Sequence, residues 1–177
     1  MSARRSVRGV QAFLCVAMLA LGATWSTGCG DDSLAAGEAR IVSAEELGDF
    51  AASADFPIYW LGERGGTEIE LSEEDSGRVY VRYLDPGTEP GTDKAAFLTV
   101  GTYSSEDGVA ELRRAARNGD GTVAARTDDG AVLLVDPSSS KSAHLAYPDA
   151  GPQIEVYSPR PGQALRLASR GGVRPVQ

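Results

Sequence analysis

Between Thr67 and Leu84 the chain alternates apolar and polar residues with a period of two, on both sides of an acidic break that ends in glycine. Thr67–Ser72 puts Ile69 and Leu71 on one face and Glu68 and Glu70 on the other. Arg78–Leu84 groups Val79, Val81 and Tyr83, with Tyr80 and Arg82 pointing the other way. Successive strand side chains point to opposite faces, so this pattern fits two half-buried strands joined at Glu74-Asp75-Ser76-Gly77. Matching the apolar faces pairs Leu71 with Val79 and Ile69 with Val81, and sets Glu68 against Arg82 on the wet side. A slip of one residue would turn the whole apolar row to water, so the register is expected to be firm.

Short segments of the same sort recur. With 21 glycines and 9 prolines, the chain is punctuated by turns and its strands must be short. Ile58–Leu61 and Phe97–Tyr103 are β-prone. Thr122–Arg126 and Ala131–Val135 flank Asp128-Asp129-Gly130 as a second hairpin, and Ala143–Tyr147 and Gln153–Tyr157 form a third pair. Asp85–Lys94 reads as a long loop. Three helices are expected. Ser43-Ala44-Glu45-Glu46 is a capping box that opens a helix over about 44–53. Ser104 or Ser105 caps a second, with Val109, Leu112, Ala115 and Ala116 at helical spacing and Asn118-Gly119 as its stop. Ser158-Pro159 opens a third that turns Ala164, Leu165 and Ala168 inward and ends at Gly171-Gly172, before a last strand over Val173–Val176. The expected class is α+β: a mainly antiparallel twisted sheet of short strands with two or three helices packed on one face. A strand–helix–strand unit after Leu98 is echoed after Ile154, which raises a pseudo-repeat of 56–127 and 131–177.

The first residues follow a different logic. Arg4, Arg5 and Arg8 precede a mostly apolar run from Val10 to Ala23, too short to span a bilayer comfortably and the length of a signal-peptide core. Small residues and Cys29 follow. Thr27-Gly28-Cys29 resembles the lipobox of bacterial lipoproteins, and Ser26 departs from the aliphatic residue usual at its position. The resemblance implies cleavage before Cys29, a diacylglyceryl group on its sulfur and a membrane anchor at the extracytoplasmic face of the cell membrane. Acyl chains hold a domain firmly, at about 0.8 kcal/mol per buried methylene. The expected organisation is a signal peptide over 1–28, a flexible lipid-anchored tether over 29–42 and one domain over 43–177. Cys15 would leave with the signal, so no intrachain disulfide is available and the domain must be held by packing. The strings FPIYWLGERGGTEIELSE and AHLAYP…QIEVYSPRPGQALRLA resemble small lipoproteins of unknown function from high-GC bacteria. That likeness implies a discrete exported domain and supplies no activity.

Charge and composition narrow the chemistry. Taking Arg4, Arg5 and Arg8 out of a net charge of −8 leaves −11 on the exported part, which disfavours nucleic acid as a partner. With His144 the only histidine and Cys29 the only remaining thiol, a His/Cys zinc site is excluded, and neither metal nor cofactor is expected. Ser138-Ser139-Ser140-Lys141 fits the S-x-x-K pattern of serine acyl enzymes but sits in a serine-rich loop. Asn118–Asp129 loosely follows a calcium loop, with Asp120, Asp128 and Asp129 as candidate ligands and Val123 where glycine is required. Glu68 and Glu70 share a strand face at roughly 7 Å, as strand alternation alone produces. Tyr59 and Trp60 are adjacent and must point to opposite faces. One belongs in the core, and the other, with Arg64, is the expected binding surface. The function expected is therefore a non-catalytic domain that binds an envelope protein or a small ligand. The alternative is a small envelope hydrolase, which would need His144 gathered in a cleft with a carboxylate and a hydroxyl. One domain of this length is too small for a two-lobed solute receptor.

Overall fold

A computed structural model describes residues 38–92, 94–119 and 123–177, all within one unit spanning Ser33–Gln177. The expected signal peptide over 1–28 and Cys29 lie outside the described residues. In chain order the elements are β1 (Ala39–Val42), α1 (Ala44–Ser53), β2 (Tyr59–Trp60), β3 (Glu68–Glu74), β4 (Arg78–Leu84), β5 (Leu98–Tyr103), α2 (Gly108–Asn118), β6 (Val123–Arg126), β7 (Val132–Val135), β8 (Ser142–Ala146), β9 (Gln153–Tyr157), α3 (Gln163–Ser169) and β10 (Arg174–Pro175). Eight strands form one sheet in the order β1-β3-β4-β5-β9-β8-β7-β6, with every neighbouring pair antiparallel. β2 and β10 make a separate two-stranded ribbon. The fold class is α+β, as the alternation and the capping signals indicate. Each half of the large sheet is a four-stranded antiparallel array, and the halves meet at β5–β9.

The hairpin of β3 and β4 keeps its expected faces but not its expected register. Gly77 takes a positive φ of 72° and donates its N–H to Glu74 O at 2.8 Å, so the loop is only Asp75–Gly77. Glu74 then pairs with Arg78, Leu71 with Val81 and Ile69 with Tyr83, two residues away from the expected pairing. An even shift leaves every side chain on its own face, so the alternation could not distinguish the two registers. Its consequence is that Glu70, and not Glu68, faces Arg82.

One face of the sheet is apolar. Leu71, Val81, Val100, Val156 and Ala143 run across five strands in register, and all are buried. Leu47 of α1, Ile58, Tyr59, Ala164 and Ala168 of α3, and Val173 cover this row. Fully burying one such aliphatic side chain contributes about 1.5–3 kcal/mol, and this layer is the main core. The capping box of α1 forms as read: Ser43 Oγ accepts from Glu46 N at 3.1 Å, and Glu46 accepts from Ser43 N at 2.6 Å. α3 starts later than Ser158-Pro159 suggested, at Gln163. Pro161 keeps Arg160 out of the helical region, and Ser158 Oγ instead accepts from Arg160 N and donates to Gln163. β1 also extends the domain into the span expected to be tether, because Val42 packs in the core while Ala39–Val42 pair with β3.

α1 and α3 lie on the apolar face, whereas α2 takes the opposite one. Its cap is Asp107, whose carboxylate accepts from Ala110 N, and Ser105 serves only to accept from Asp107 N. The Gly108 N–H donates to Gly151 O at 2.8 Å and carries the helix across to the far side of the β8–β9 turn. There Val109 and Leu112 pack on Val132, Leu134 and Ala146, which point away from the main core. α2 therefore covers only one end of the second face.

Candidate ligand-binding hollow

The second face carries the polar half of each alternating strand. Ser72, Tyr80, Gly101, Glu155, His144 and Leu134 form one row across six strands. Glu70, Arg82, Thr99, Tyr157 and Ser142 form the row beside it. α2 closes the Leu134 end. At the other end the loop after β4 folds over Glu70 and Arg82. Gly91 N donates to Glu70 Oε2 at 2.8 Å, and Arg82 Nη1 donates to Thr92 O at 3.0 Å. Tyr157 OH donates to Ala95 O at 2.9 Å and fixes the end of that loop. Between the two covers lies an open hollow of about 300 Å³, lined by Tyr80, Tyr103, Tyr157, Glu155, Ser72 and Arg82, with Gly101 and Thr99 in its floor.

Gly101 makes the hollow possible. It sits in the middle of the strand LTVGTY, where a side chain would project from the floor. A Cβ built there would meet the Tyr103 ring at 3.0–3.1 Å, so Tyr103, two residues on, folds back over the glycine. From that position its hydroxyl donates to Glu155 Oε2 at 2.5 Å. Ser142 Oγ donates to Glu155 Oε1 at 2.8 Å. Burial, and then the Glu155 carboxylate, push the Tyr103 phenol far above the usual tyrosine value, so it stays a neutral donor. Burial likewise raises Tyr80, whose ring meets Tyr103 edge to face with centroids 6.1 Å apart. The Arg78 guanidinium stands 5.5 Å from the Tyr103 ring centroid.

Arg82 brings no free charge to the site. Its side chain is 1% exposed, and Nε and Nη2 grip the fully buried Glu70 at 2.5 and 2.6 Å. Ser72 is different: it is 4% exposed, lines the hollow, and its Oγ has no hydrogen-bond partner in the protein. His144 stands opposite Glu155 in the register, and its Nδ1 is also buried without a partner.

The residues singled out in the sequence go elsewhere. Tyr59 is 4% exposed and stacks on Tyr147 with centroids 5.4 Å apart, which removes it from the expected binding surface. β2 turns this ring inward because its backbone N–H is held by Thr102 Oγ1 of β5 at 3.1 Å. Trp60 and Arg64 are half-buried and already occupied, Trp60 under Arg174 at 5.7 Å and Arg64 over Tyr83 at 5.8 Å. Ser138 donates to Asp136 at 2.7 Å within a turn, with no helix to bring Lys141 beside it. Glu68 accepts from Gly87 N at 3.3 Å while Glu70 is committed to Arg82, so the two carboxylates do not act as a pair. Asp120 lies outside the described residues, Asp128 is exposed, and Asp129 accepts from Thr127 and Tyr147. Among the described residues no three acidic, histidine or cysteine side chains gather as a metal cluster.

Gly101, Tyr103, Tyr157, Glu155 and Ser72 were not singled out in advance. A lone glycine inside an otherwise β-branched and aromatic strand was the available signal, since it marks a bulge or a close approach. Compared with models of known protein families, with curated proteins and with solved structures, the chain matches none.

Proposed function

We propose that the chain is an exported lipoprotein whose domain binds a small ligand in the hollow over Gly101, held by Cys29 at the outer face of the cytoplasmic membrane. The observation that carries the binding half is the hollow itself. A strand position is emptied at the centre of the sheet and ringed by three tyrosines, with a buried, unpartnered hydroxyl at Ser72. Concave, mostly apolar sites with a few convergent polar groups are where small ligands bind. The anchoring half rests on the signal-like segment and on Thr27-Gly28-Cys29.

Filling the hollow tests the binding half. Polar metabolite fractions are screened for a rise in the melting temperature of the full chain, and hits are repeated on Gly101→Leu. A ligand at 100 times its Kd stabilises the folded state by about 2.7 kcal/mol. The reading expects shifts that vanish in the filled variant, and shifts that survive it would place binding elsewhere. Cys29→Ala is expected to abolish acyl labelling and to release the chain from membranes.

One observation favours a second reading, a hydrolase. His144 faces Glu155, and Ser142 hydrogen-bonds that carboxylate. The hydroxyl donates to Glu155, however, and both Glu155 oxygens are occupied by hydroxyl donors, an arrangement that holds a carboxylate in place. Labelling of Ser142 by a fluorophosphonate would decide for the hydrolase.

A further inference from the structure

We infer that the ligand of this hollow is a small organic cation, an alkylated or quaternary ammonium, with Glu155 as its counter-ion. The inference rests on the reading of the hollow as a ligand seat. Two formal charges line the space. Arg82 is neutralised by its two-pronged pairing with Glu70. Glu155 is not: its oxygens accept from two neutral hydroxyls, and among the described residues no cation lies within ion-pair distance of it. The hollow therefore presents one uncompensated negative charge beside aromatic rings.

Rings with a negative π face and a carboxylate at their edge form the environment that attracts a desolvated ammonium. The Tyr103 ring already engages a cation, since Arg78 lies 5.5 Å from its centroid. That arginine is 55% exposed and shares its charge with Glu74 at 3.9 Å, so solvent screens its repulsion of a second cation. The polar atoms left over are mostly acceptors. Glu155 retains lone pairs, the Tyr157 hydroxyl spends its proton on Ala95 O, and Thr99 Oγ1 spends its own on Phe97 O. An anion would meet this acceptor-rich wall unfavourably. A neutral sugar would leave the Glu155 charge uncompensated. The surrounding field agrees, because the exported part of the chain carries a net −11 once Arg4, Arg5 and Arg8 are taken from the −8 total.

The test compares choline with 3,3-dimethylbutan-1-ol, which has the same shape without the charge. The full chain in a maltoside detergent is titrated with each, followed by ligand-observed saturation-transfer NMR and by the ring resonances of the tyrosines. Choline is expected to bind at least tenfold more tightly than the neutral isostere and to move the Tyr80, Tyr103 and Tyr157 signals. Glu155→Gln removes the charge and keeps one oxygen acceptor for Tyr103, while the Ser142 hydroxyl can turn to accept from the new amide, and it is expected to erase the tenfold preference. Glu111→Gln, the same charge change on the exposed surface of α2, should leave it intact. Equal affinity of the two probes overturns the cation while leaving a ligand seat in place. Choline that binds without moving the tyrosines, or that does not bind at all, overturns the inference also. The probe pair is read on the unmodified chain, so the result does not depend on how well Glu155→Gln folds.

Discussion

Removing the charge of Glu70 should be among the most damaging single changes in the domain. The carboxylate is fully buried and holds three donors: Arg82 Nε at 2.5 Å, Arg82 Nη2 at 2.6 Å and Gly91 N at 2.8 Å. In Glu70→Gln the size is kept, but the amide turns a donor either toward Arg82 Nε or toward Arg82 Nη2 and Gly91 N together, and the Arg82 charge stays buried at 1% exposure. Breaking a buried pair by removing one partner's charge costs about 3–5 kcal/mol, against roughly 5–15 kcal/mol for a whole domain. At about 3–4 °C per kcal/mol for a chain of this size, the melting temperature should fall by roughly 10–20 °C. Thermal and urea unfolding followed by circular dichroism read this directly. Limited proteolysis should show new cleavage between Asp85 and Thr92, since Gly91 and Thr92 are held through this pair. The double variant Glu70→Leu/Arg82→Met removes both charges together and should lose only about 1–2 kcal/mol, mainly the unmet backbone groups of Gly91 and Thr92. The loss in Glu70→Gln should persist in high salt, because a buried pair is little screened. Arg78→Ala, which removes the exposed partner of Glu74, should cost less than about 1 kcal/mol. A Glu70→Gln loss below 1 kcal/mol, or a double variant as unstable as the sum of its singles, would mean that the Arg82 charge does not depend on Glu70 for its burial.

Three further outcomes are expected. Gly101→Ala should displace the Tyr103 ring, met at 3.0–3.1 Å by the new methyl, and break its hydrogen bond to Glu155; the Tyr103 hydroxyl proton resonance would report it. Ser43→Ala removes the cap acceptor of α1 and should cost about 0.5–2 kcal/mol in urea unfolding. Burial pushes the Tyr83 phenol up to about 12, with the Leu61 N–H it accepts opposing that rise. A folded pKa above the unfolded value of 10 means that the folded state holds the proton longer. The stability this brings is complete below pH 10 and is lost as pH rises toward 12, so alkaline unfolding should set in across that window and be less steep in Tyr83→Phe.

What could be read from the chain was local. The capping box needs only Ser43 and Glu46, four residues inclusive, and it forms as written. The alternation of β3 and β4 sorted Ile69, Leu71, Val81 and Tyr83 to the inner face correctly because a period of two needs no partner to be seen. The register needed the conformation of Gly77, and the burial of Glu70 needed the loop at Gly91 and Thr92, more than twenty residues ahead of it. Nothing in the periodicity of α2 told which face it would cover, since Val109 and Leu112 suit either. The candidate site was the least legible part. Its residues are shared among β3, β4, β5 and β9, and Glu155 and Tyr157 join the others only because β9 pairs with β5, some fifty residues earlier in the chain. The aromatic pair Tyr59-Trp60 drew attention because it is contiguous, and contiguity says nothing about which ring the ribbon with β10 will turn inward.

The arrangement separates what holds the domain from what it could hold. Leu71, Val81, Val100, Val156 and Ala143 gather the main core on one face of the sheet, and α1, β2 and α3 seal that face without reaching the other. The polar face then needs cover only where burying a charge demands it, at Glu70 and Arg82, and where stray apolar side chains demand it, at Val132, Leu134 and Ala146. Both demands arise toward the flanks of the sheet. The middle, where β5 meets β9, has neither, and there the chain places a glycine and lays a tyrosine over it. If Gly101 served packing alone, Tyr103 could rest on it with its hydroxyl in water. Instead the hydroxyl is spent on a carboxylate that meets no cation among the described residues, beside a serine hydroxyl that meets nothing. An uncompensated charge and an idle hydroxyl in one place cost the isolated domain stability. A bound cation would return that cost, and on this reasoning Glu155→Gln should leave the free chain no less stable while removing what its ligand adds.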